Sequence, residues 1–364
     1  MTDTLADLTT MRADIKLVQD AAPAIFTWSY ERERDKLVKL YDKANQSQWV
    51  GLTDLDWATE VDPEQLVRTN EAPVVTLVCA AAKVPGSPIS SWGEPEFTQI
   101  GIEFLRANLS QFMHGEQGAM LTAAKIVETV PWIDAKYYAS TQVMDEARHT
   151  EVFAKYLHEK LGEPYPMGEA LESQITALLE DGRWDIAYLG MQIIIESLAL
   201  AAFGDLLART DEPLLHKLLR YVLADEARHV AFGIMSLGEV YQHLSAAELK
   251  ERQEFMLENT IRSRARAANP EVWERMGTSY AAVQPAIREA KASTGMSITG
   301  SFQRAFFSKL VPNTRKLGLL DANDGYLRQR WGEAGLLEFE HADDTADDYE
   351  TYDAVAADRG EDGA

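Results

Sequence analysis

Apolar residues recur at three- and four-residue intervals along almost the whole chain, the spacing of helix faces rather than the alternation of strands. Four long stretches carry the pattern most clearly, at residues 97–130, 132–161, 185–209 and 213–243. Pro131 divides the first two and Asp211-Glu212-Pro213 the last two. Proline suits the first turn of a helix, where its missing N–H would have had no intrahelical partner. The pattern therefore predicts two helical hairpins, 97–161 and 185–243. Ahead of them it predicts a helix over 25–44, a turn-rich break over 45–63 and, over 71–96, a short helix followed by a loop. A shorter helix near 171–179 joins the hairpins. Beyond them Ser245, with Glu248 three residues on, forms a capping box for a further helix, and weaker helical pieces run to Leu336. No low-complexity linker interrupts this run, so 1–337 reads as one all-α domain.

The last stretch, 338–364, breaks the pattern. It holds eleven Asp/Glu against Arg359 alone, which predicts a flexible, solvated acidic tail. A chain ended near His341 is expected to keep its fold. The formal net charge of −23 argues against nucleic acid or an anionic membrane as a partner, since both are polyanions. Cys79 is the sole cysteine, which excludes an intrachain disulfide and a thiolate cluster. The N-terminal residues lack the basic-then-apolar order of a secretory signal, and no apolar run reaches the roughly 18 residues of a membrane span. A cytoplasmic location is the expectation.

Chemistry enters with a repeat. Asp-Glu-Ala-Arg-His occurs at 145–149 and again at 225–229. With usage of ~5% per residue type, chance supplies such a repeat about 0.02 times in a chain of this length. A glutamate also stands 30 residues before each motif glutamate: Glu116 before Glu146, and Glu196 before Glu226. Their midpoints are Pro131 and Asp211, the two predicted turns. Both glutamates of a hairpin thus sit ~15 residues, or about 22 Å, from its turn and are level with each other. The i,i+3 spacing of Glu146 with His149, and of Glu226 with His229, puts each pair on one helix face. Packing the hairpins together gathers four carboxylates and two imidazoles at one height, the ligand set of ferritin-like di-iron and di-manganese centres. Four carboxylates offset two divalent ions, and one imidazole per ion supplies a neutral ligand suited to iron. Asp145 and Asp225 are placed to accept from the opposite hairpin's histidine, Asp145 from His229 and Asp225 from His149, with Arg148 and Arg228 balancing them. The bland alternative is that these aspartates and arginines pair along solvent-facing helix sides.

This constellation resembles the ferritin-like di-iron carboxylate superfamily, which includes multicomponent monooxygenases, ribonucleotide reductase small subunits, acyl-carrier-protein desaturases and aryl-CoA epoxidases. The resemblance spans about 97–243. It implies a ferritin-like four-helix bundle core with additional flanking helices, and activation of dioxygen. Three positions depart from particular branches. Phe153 stands where tyrosyl-radical subunits carry tyrosine, Leu200 where the hydroxylases carry threonine, and Val222 where the p-aminobenzoate N-oxygenases carry an extra histidine.

Residues one turn from the ligands are the candidates to face the metals: Phe112, Met120, Phe153, Gln192, Leu200 and Val222. They either line a cavity for an apolar or aromatic substrate or form ordinary bundle core. Gly115 and Gly118 flank Glu116, leaving room for substrate or for close helix packing. His114, His158, His216, His243 and His341 fall outside the ligand pattern. Trp28, Trp49, Trp57 and Trp92 are expected to pack over the bundle, with electron transfer as the alternative role for one of them. No nucleotide- or flavin-binding motif is found, so electrons are expected from a separate donor protein. The sequence thus points to an oxygenase or oxidase with two iron ions (manganese/iron fits the same ligands), dioxygen as co-substrate and a small organic substrate. A homodimer is compatible with it. An iron-handling ferroxidase is the alternative, and a bundle keeping its metals for stability is a third.

Overall fold

The computed structural model describes residues 24–70, 72–264, 269–295, 300–342, 349–352 and 354. Among these residues there is no strand. Helices α1 (Asp35–Gln46), α2 (Pro63–Asn70) and α3 (Pro73–Ala82) precede the first hairpin, formed by α4 (Glu94–Thr129) and α5 (Ile133–Tyr156). Helix α5 runs on into a π-helical turn, Leu157–Leu161, and α6 (Glu169–Glu180) links to the second hairpin. The first arm of that hairpin is α7 (Trp184–Tyr188), a π-helical segment (Leu189–Ile195) and α8 (Glu196–Leu207); the second is α9 (Pro213–Tyr241). The chain is then completed by α10 (Ala246–Arg264), α11 (Pro270–Arg275), α12 (Tyr280–Thr294), α13 (Gly300–Lys316), α14 (Ala322–Glu333) and a 3₁₀ turn at Leu336–Phe339.

The two turns form where proline and its neighbours direct them. Pro213 opens α9, and the Glu212 carboxylate caps it by accepting from the backbone N–H of Leu214 (2.9 Å) and Leu215 (2.7 Å). Ser245 and Glu248 form the expected capping box ahead of α10 (2.8 and 3.3 Å). The main core runs between the hairpins and under α1 and α13, with Leu109, Tyr138, Phe153, Ile193, Val222 and Phe232 all without exposed surface. A second cluster, around Ile100 and Trp273, packs α3, α11 and α12 against the N-terminal half of α4. Gly118 is needed for close packing. A Cβ there would lie 2.4 Å from Ile175 of α6, so this glycine seats α6 on α4.

Four expectations change. Helix α1 begins at Asp35, because residues 24–34 find other partners for their backbone. Ile25 N–H donates to Glu128 O (2.8 Å), and the Asp134 carboxylate accepts from the N–H groups of Glu33 and Arg34 (3.1 and 3.2 Å). Trp28 lies on this extended segment and is 82% exposed, so it does not cover the bundle. One helical arm, Trp184–Leu207, does reach membrane-spanning length, with an 18-residue stretch of mean hydropathy 1.8, but 78% of that stretch is buried within the bundle. Its apolarity is that of a central helix surrounded by protein. The packed structure also extends past residue 337. Phe339 is buried, Glu340 pairs with Arg328 (2.7 Å), and Tyr349 and Tyr352 pack against the main core. A chain ended after Ala342 should keep its fold and metal site but melt earlier, by about 1–3 kcal/mol for the two tyrosines. A melting curve identical to that of the full chain would show that those contacts contribute nothing.

Candidate metal centre

Glu116 comes from α4, Glu146 and His149 from α5, Glu196 from the start of α8, and Glu226 and His229 from α9. The structure brings all six together, each no more than 5% exposed. His149 Nδ1 lies 3.1 Å from Glu226 Oε1 and 3.4 Å from both Glu116 Oε2 and Glu146 Oε2. His229 Nδ1 lies 3.0 Å from Glu226 Oε2, 3.2 Å from Glu146 Oε1 and 3.7 Å from Glu196 Oε1. Two four-residue groups result: Glu116, Glu146, His149 and Glu226, and Glu146, Glu196, Glu226 and His229, with donor atoms of each group within 4.8 Å of one another. Glu146 and Glu226 present one oxygen to each group and therefore span them. Glu116 and Glu196 belong to one group each.

The donor set fits a pair of cations. Glu146 Oε2, Glu226 Oε1 and His149 Nδ1 are buried without a hydrogen-bond partner among the described residues, yet they converge. Orphaned buried polar atoms cost free energy, and a cation between them satisfies all three. Charge points the same way. Burial, and then the Glu226 and Glu146 carboxylates, push Glu116 and Glu196 well above the usual carboxylate range. Burial works the same way on Glu146 and Glu226, but there the two histidines outweigh it and hold both carboxylates below that range. Burial opposes charge on His149 and His229 as well, but the surrounding carboxylates raise both imidazoles well above their ordinary value. Without metal, these shifts favour protons on Glu116, Glu196 and both imidazoles.

The crossed arrangement of aspartates is present. Asp225 Oδ2 lies 3.0 Å from His149 Nε2, and Asp145 Oδ2 lies 3.4 Å from His229 Nε2, a looser contact than its counterpart. Each histidine thus turns Nδ1 toward the cluster. Arg148 and Arg228 are buried rather than solvent-facing: Arg148 reaches both aspartates (3.0 Å to Asp225 Oδ2) and Arg228 pairs with Asp225. Asp145→Ala is expected to weaken metal binding roughly 10–100-fold without unfolding the bundle. Unchanged affinity in a manganese titration would make that contact incidental.

Three residues of this shell carry no signal of their own in the repeat. Trp49 Nε1 donates to Asp225 Oδ2 (2.9 Å), and its ring lies beneath the Arg148 guanidinium (4.6 Å). Gln48 Nε2 donates to Asp145 Oδ1 (3.0 Å). Both sit in the loop after α1, where helical spacing says nothing about direction. Gln142 Nε2 donates to Glu146 Oε1 (3.0 Å) and Glu196 Oε1 (2.8 Å). It stands one turn before Glu146, so the same one-turn reach that singles out Phe112, Gln192 and Val222 also points to it. Gln192 turns its Nε2 onto Gln142 Oε1 (2.7 Å). Phe112 and Phe153 pack with Phe203 (centroids 4.8–5.9 Å apart), and Leu200 and Val222 are buried, while Met120 is half-buried. His114 turns to the Tyr165 carbonyl (2.9 Å), away from the cluster. His158, His243 and His341 are exposed, and His216 is half-buried.

No protein-family model matches the sequence, and no curated protein does. Solved structures do match. One, an R2-like ligand-binding oxidase with aerobically reconstituted metal cofactor after photoconversion, is 13% identical with a TM-score of 0.50, covering 79% of this chain and 94% of that one. Another, an R2-like ligand-binding oxidase with aerobically reconstituted Mn/Fe cofactor, is 12% identical with a TM-score of 0.46, over 78% of this chain and 92% of its own. The first of these likenesses establishes the fold: an all-helical, ferritin-like architecture shared along most of the chain.

Proposed function

We propose that this chain is a dioxygen-activating di-metal oxidase or oxygenase acting on a small apolar or aromatic organic substrate. The observation that carries the reading is the buried set of four carboxylates and two imidazoles, whose unpartnered atoms converge from both hairpins. The R2-like oxidase that shares the fold carries a metal cofactor, and the carboxylate and imidazole ligands here suit two iron ions or a manganese/iron pair. Such a pair, in its reduced state, supplies the electrons that reduce dioxygen.

The protein's own part follows from the geometry. Asp225 and Asp145 take the Nε2–H of the histidines, which leaves the Nδ1 lone pairs for the ions. Glu146 and Glu226, each with one oxygen near either histidine, would be shared by the two ions. The rings of Phe112, Phe153 and Phe203, with Leu200 and Val222, form an apolar side that excludes water and suits an apolar substrate. Trp49, joined through Asp225 to His149, offers a hydrogen-bonded route for electrons from a separate donor protein. The test is oxygen uptake by protein loaded with two ferrous ions per chain, with a chemical reductant and a panel of apolar aromatic compounds. Turnover with substrate oxidation is expected. Ferrous oxidation that stops after one round, whatever compound is present, would favour iron handling instead.

A further inference from the structure

The two halves of the centre are related by the 80-residue repeat, and three exchanges close to the ligands set them apart. One turn before Glu146 stands Gln142, whereas the equivalent residue before Glu226 is Val222. One turn before Glu196 stands Gln192, whereas the equivalent residue before Glu116 is Phe112. Four residues after His229 stands Gly233, whereas the equivalent residue after His149 is Phe153. The three exchanges form a single structural unit. A Cβ on Gly233 would lie 2.4 Å from Gln192 Cβ, so the glycine makes the space in which Gln192 sits. Gln192 in turn holds the Gln142 carbonyl, and the Gln142 amide gives one hydrogen to Glu146 and one to Glu196. All three glutamine and glutamate partners of Gln142 are 0–2% exposed. In the other half, Phe112 and Phe153 fill the corresponding space with packed rings (5.9 Å).

This difference has an energetic consequence. One Gln142 amide donates to an oxygen of Glu146 and to an oxygen of Glu196, and so holds the two carboxyl groups together and oriented in a dry interior. The amide is fixed in this sense, because its carbonyl accepts from Gln192 and its NH2 group can only donate. A ligand pair already held in place spends less free energy on ordering when an ion arrives. Glu116 has His149 at 3.4 Å and a phenyl ring one turn before it in place of an amide.

We propose that the Gln142–Gln192 amide pair is a positioning device that preforms the Glu196–His229 half of the centre, so that the first metal ion binds there and the His149 half fills second. The proposal rests on the di-metal reading above. It makes the two positions unequal, with the packed rings of Phe112 and Phe153 on the side of the later, more exchangeable ion.

Anaerobic titration with manganese(II) alone, followed by calorimetry and by the magnetic resonance signal of free ion, tests it. The full chain should take up one equivalent before the other. His149→Ala should keep the tighter step and His229→Ala should lose it. Gln142→Leu should weaken the tighter step roughly 10–100-fold and the second only a few-fold. If Gln142→Leu does not fold, Gln192→Met, which keeps the side-chain length and frees the Gln142 amide to turn, decides by the same readout. Two indistinguishable steps in the full chain, or equal losses on both steps in the variant, overturn the proposal while leaving the di-metal reading intact. A full chain that binds no manganese or iron overturns both.

Discussion

Protein carrying Glu226→Ala, produced in cells supplied with iron and manganese, should retain on the order of a tenth or less of the about two ions per chain expected of the parent. The magnitude follows from position. Among the four clustered glutamates Glu226 lies closest to both imidazoles, 3.1 Å from His149 Nδ1 and 3.0 Å from His229 Nδ1. Removing it takes a ligand from each position at once. Removing an outer partner such as Asp145 only loosens one histidine and costs roughly 10–100-fold; a shared ligand should cost more at both positions. Glu146→Ala, which removes the other spanning carboxylate, should behave alike. Because alanine also leaves a void, Glu226→Gln separates ligand loss from packing loss: it keeps the volume and withholds a charged oxygen. The parent should gain about 4 kcal/mol of stability at metal concentrations near 1,000 times the dissociation constant, and Glu226→Gln should gain little. Elemental analysis together with melting curves, with and without manganese, reads both effects. Two ions per chain in Glu226→Ala would refute the assignment of Glu226 as a shared ligand.

Much of this site was legible in the sequence because it is written in helical periodicity. Equal distances from two turns place Glu116 beside Glu146 and Glu196 beside Glu226 whatever the rest of the chain does, and the i,i+3 spacing aims each histidine. The crossed aspartates followed because a repeat of two like hairpins imposes approximate two-fold symmetry. What escaped lies where that geometry is silent. Trp49 and Gln48 reach the aspartates from a loop, whose path depends on tertiary contacts such as the Trp57 indole donating to the Gly51 carbonyl (2.8 Å). The start of α1 was misplaced because periodicity cannot foresee that Asp134, 100 residues away, will accept from the backbone of Arg34. The π-helical segment Leu189–Ile195 also has no compositional mark, yet it sets how Gln192 meets Gln142. Finally, Tyr349 and Tyr352 sit in a stretch whose charge alone suggests a solvated tail, yet these two aromatic residues, three apart on one helical turn, pack against the main core.

Metal binding should release protons, and the metal-free protein should lose stability as pH rises from the histidine range upward. Both follow from the same balance. In the metal-free site Glu116 and Glu196 are raised by burial and neighbouring carboxylates, and His149 and His229 by the carboxylates that outweigh burial. With those four groups protonated and Glu146 and Glu226 ionised, two negative and two positive charges cancel. Two divalent ions bring four positive charges, which match four ionised glutamates and two neutral histidines. The cluster is neutral in both states only if four protons leave as the ions enter. A group whose folded pKa lies above its unfolded value contributes stability that is complete below the unfolded pKa and is lost as pH rises through the folded one. For the histidines that loss begins above about pH 6.5, and for the two glutamates above the usual carboxylate range. The depressed groups Glu146, Glu226 and Asp225 act oppositely: their contribution is present above the carboxylate range and fails only in acid. Between about pH 6.5 and the alkaline range, then, the metal-free protein should melt progressively earlier while the metal-loaded protein does not, so the gap between them widens. Apparent affinity should rise by about one log unit per pH unit for each proton displaced. Calorimetry of manganese binding in buffers of different ionisation heat counts those protons. A count of zero, with parallel melting curves, would mean that the buried carboxylates are ionised before metal arrives and that some other cation balances them.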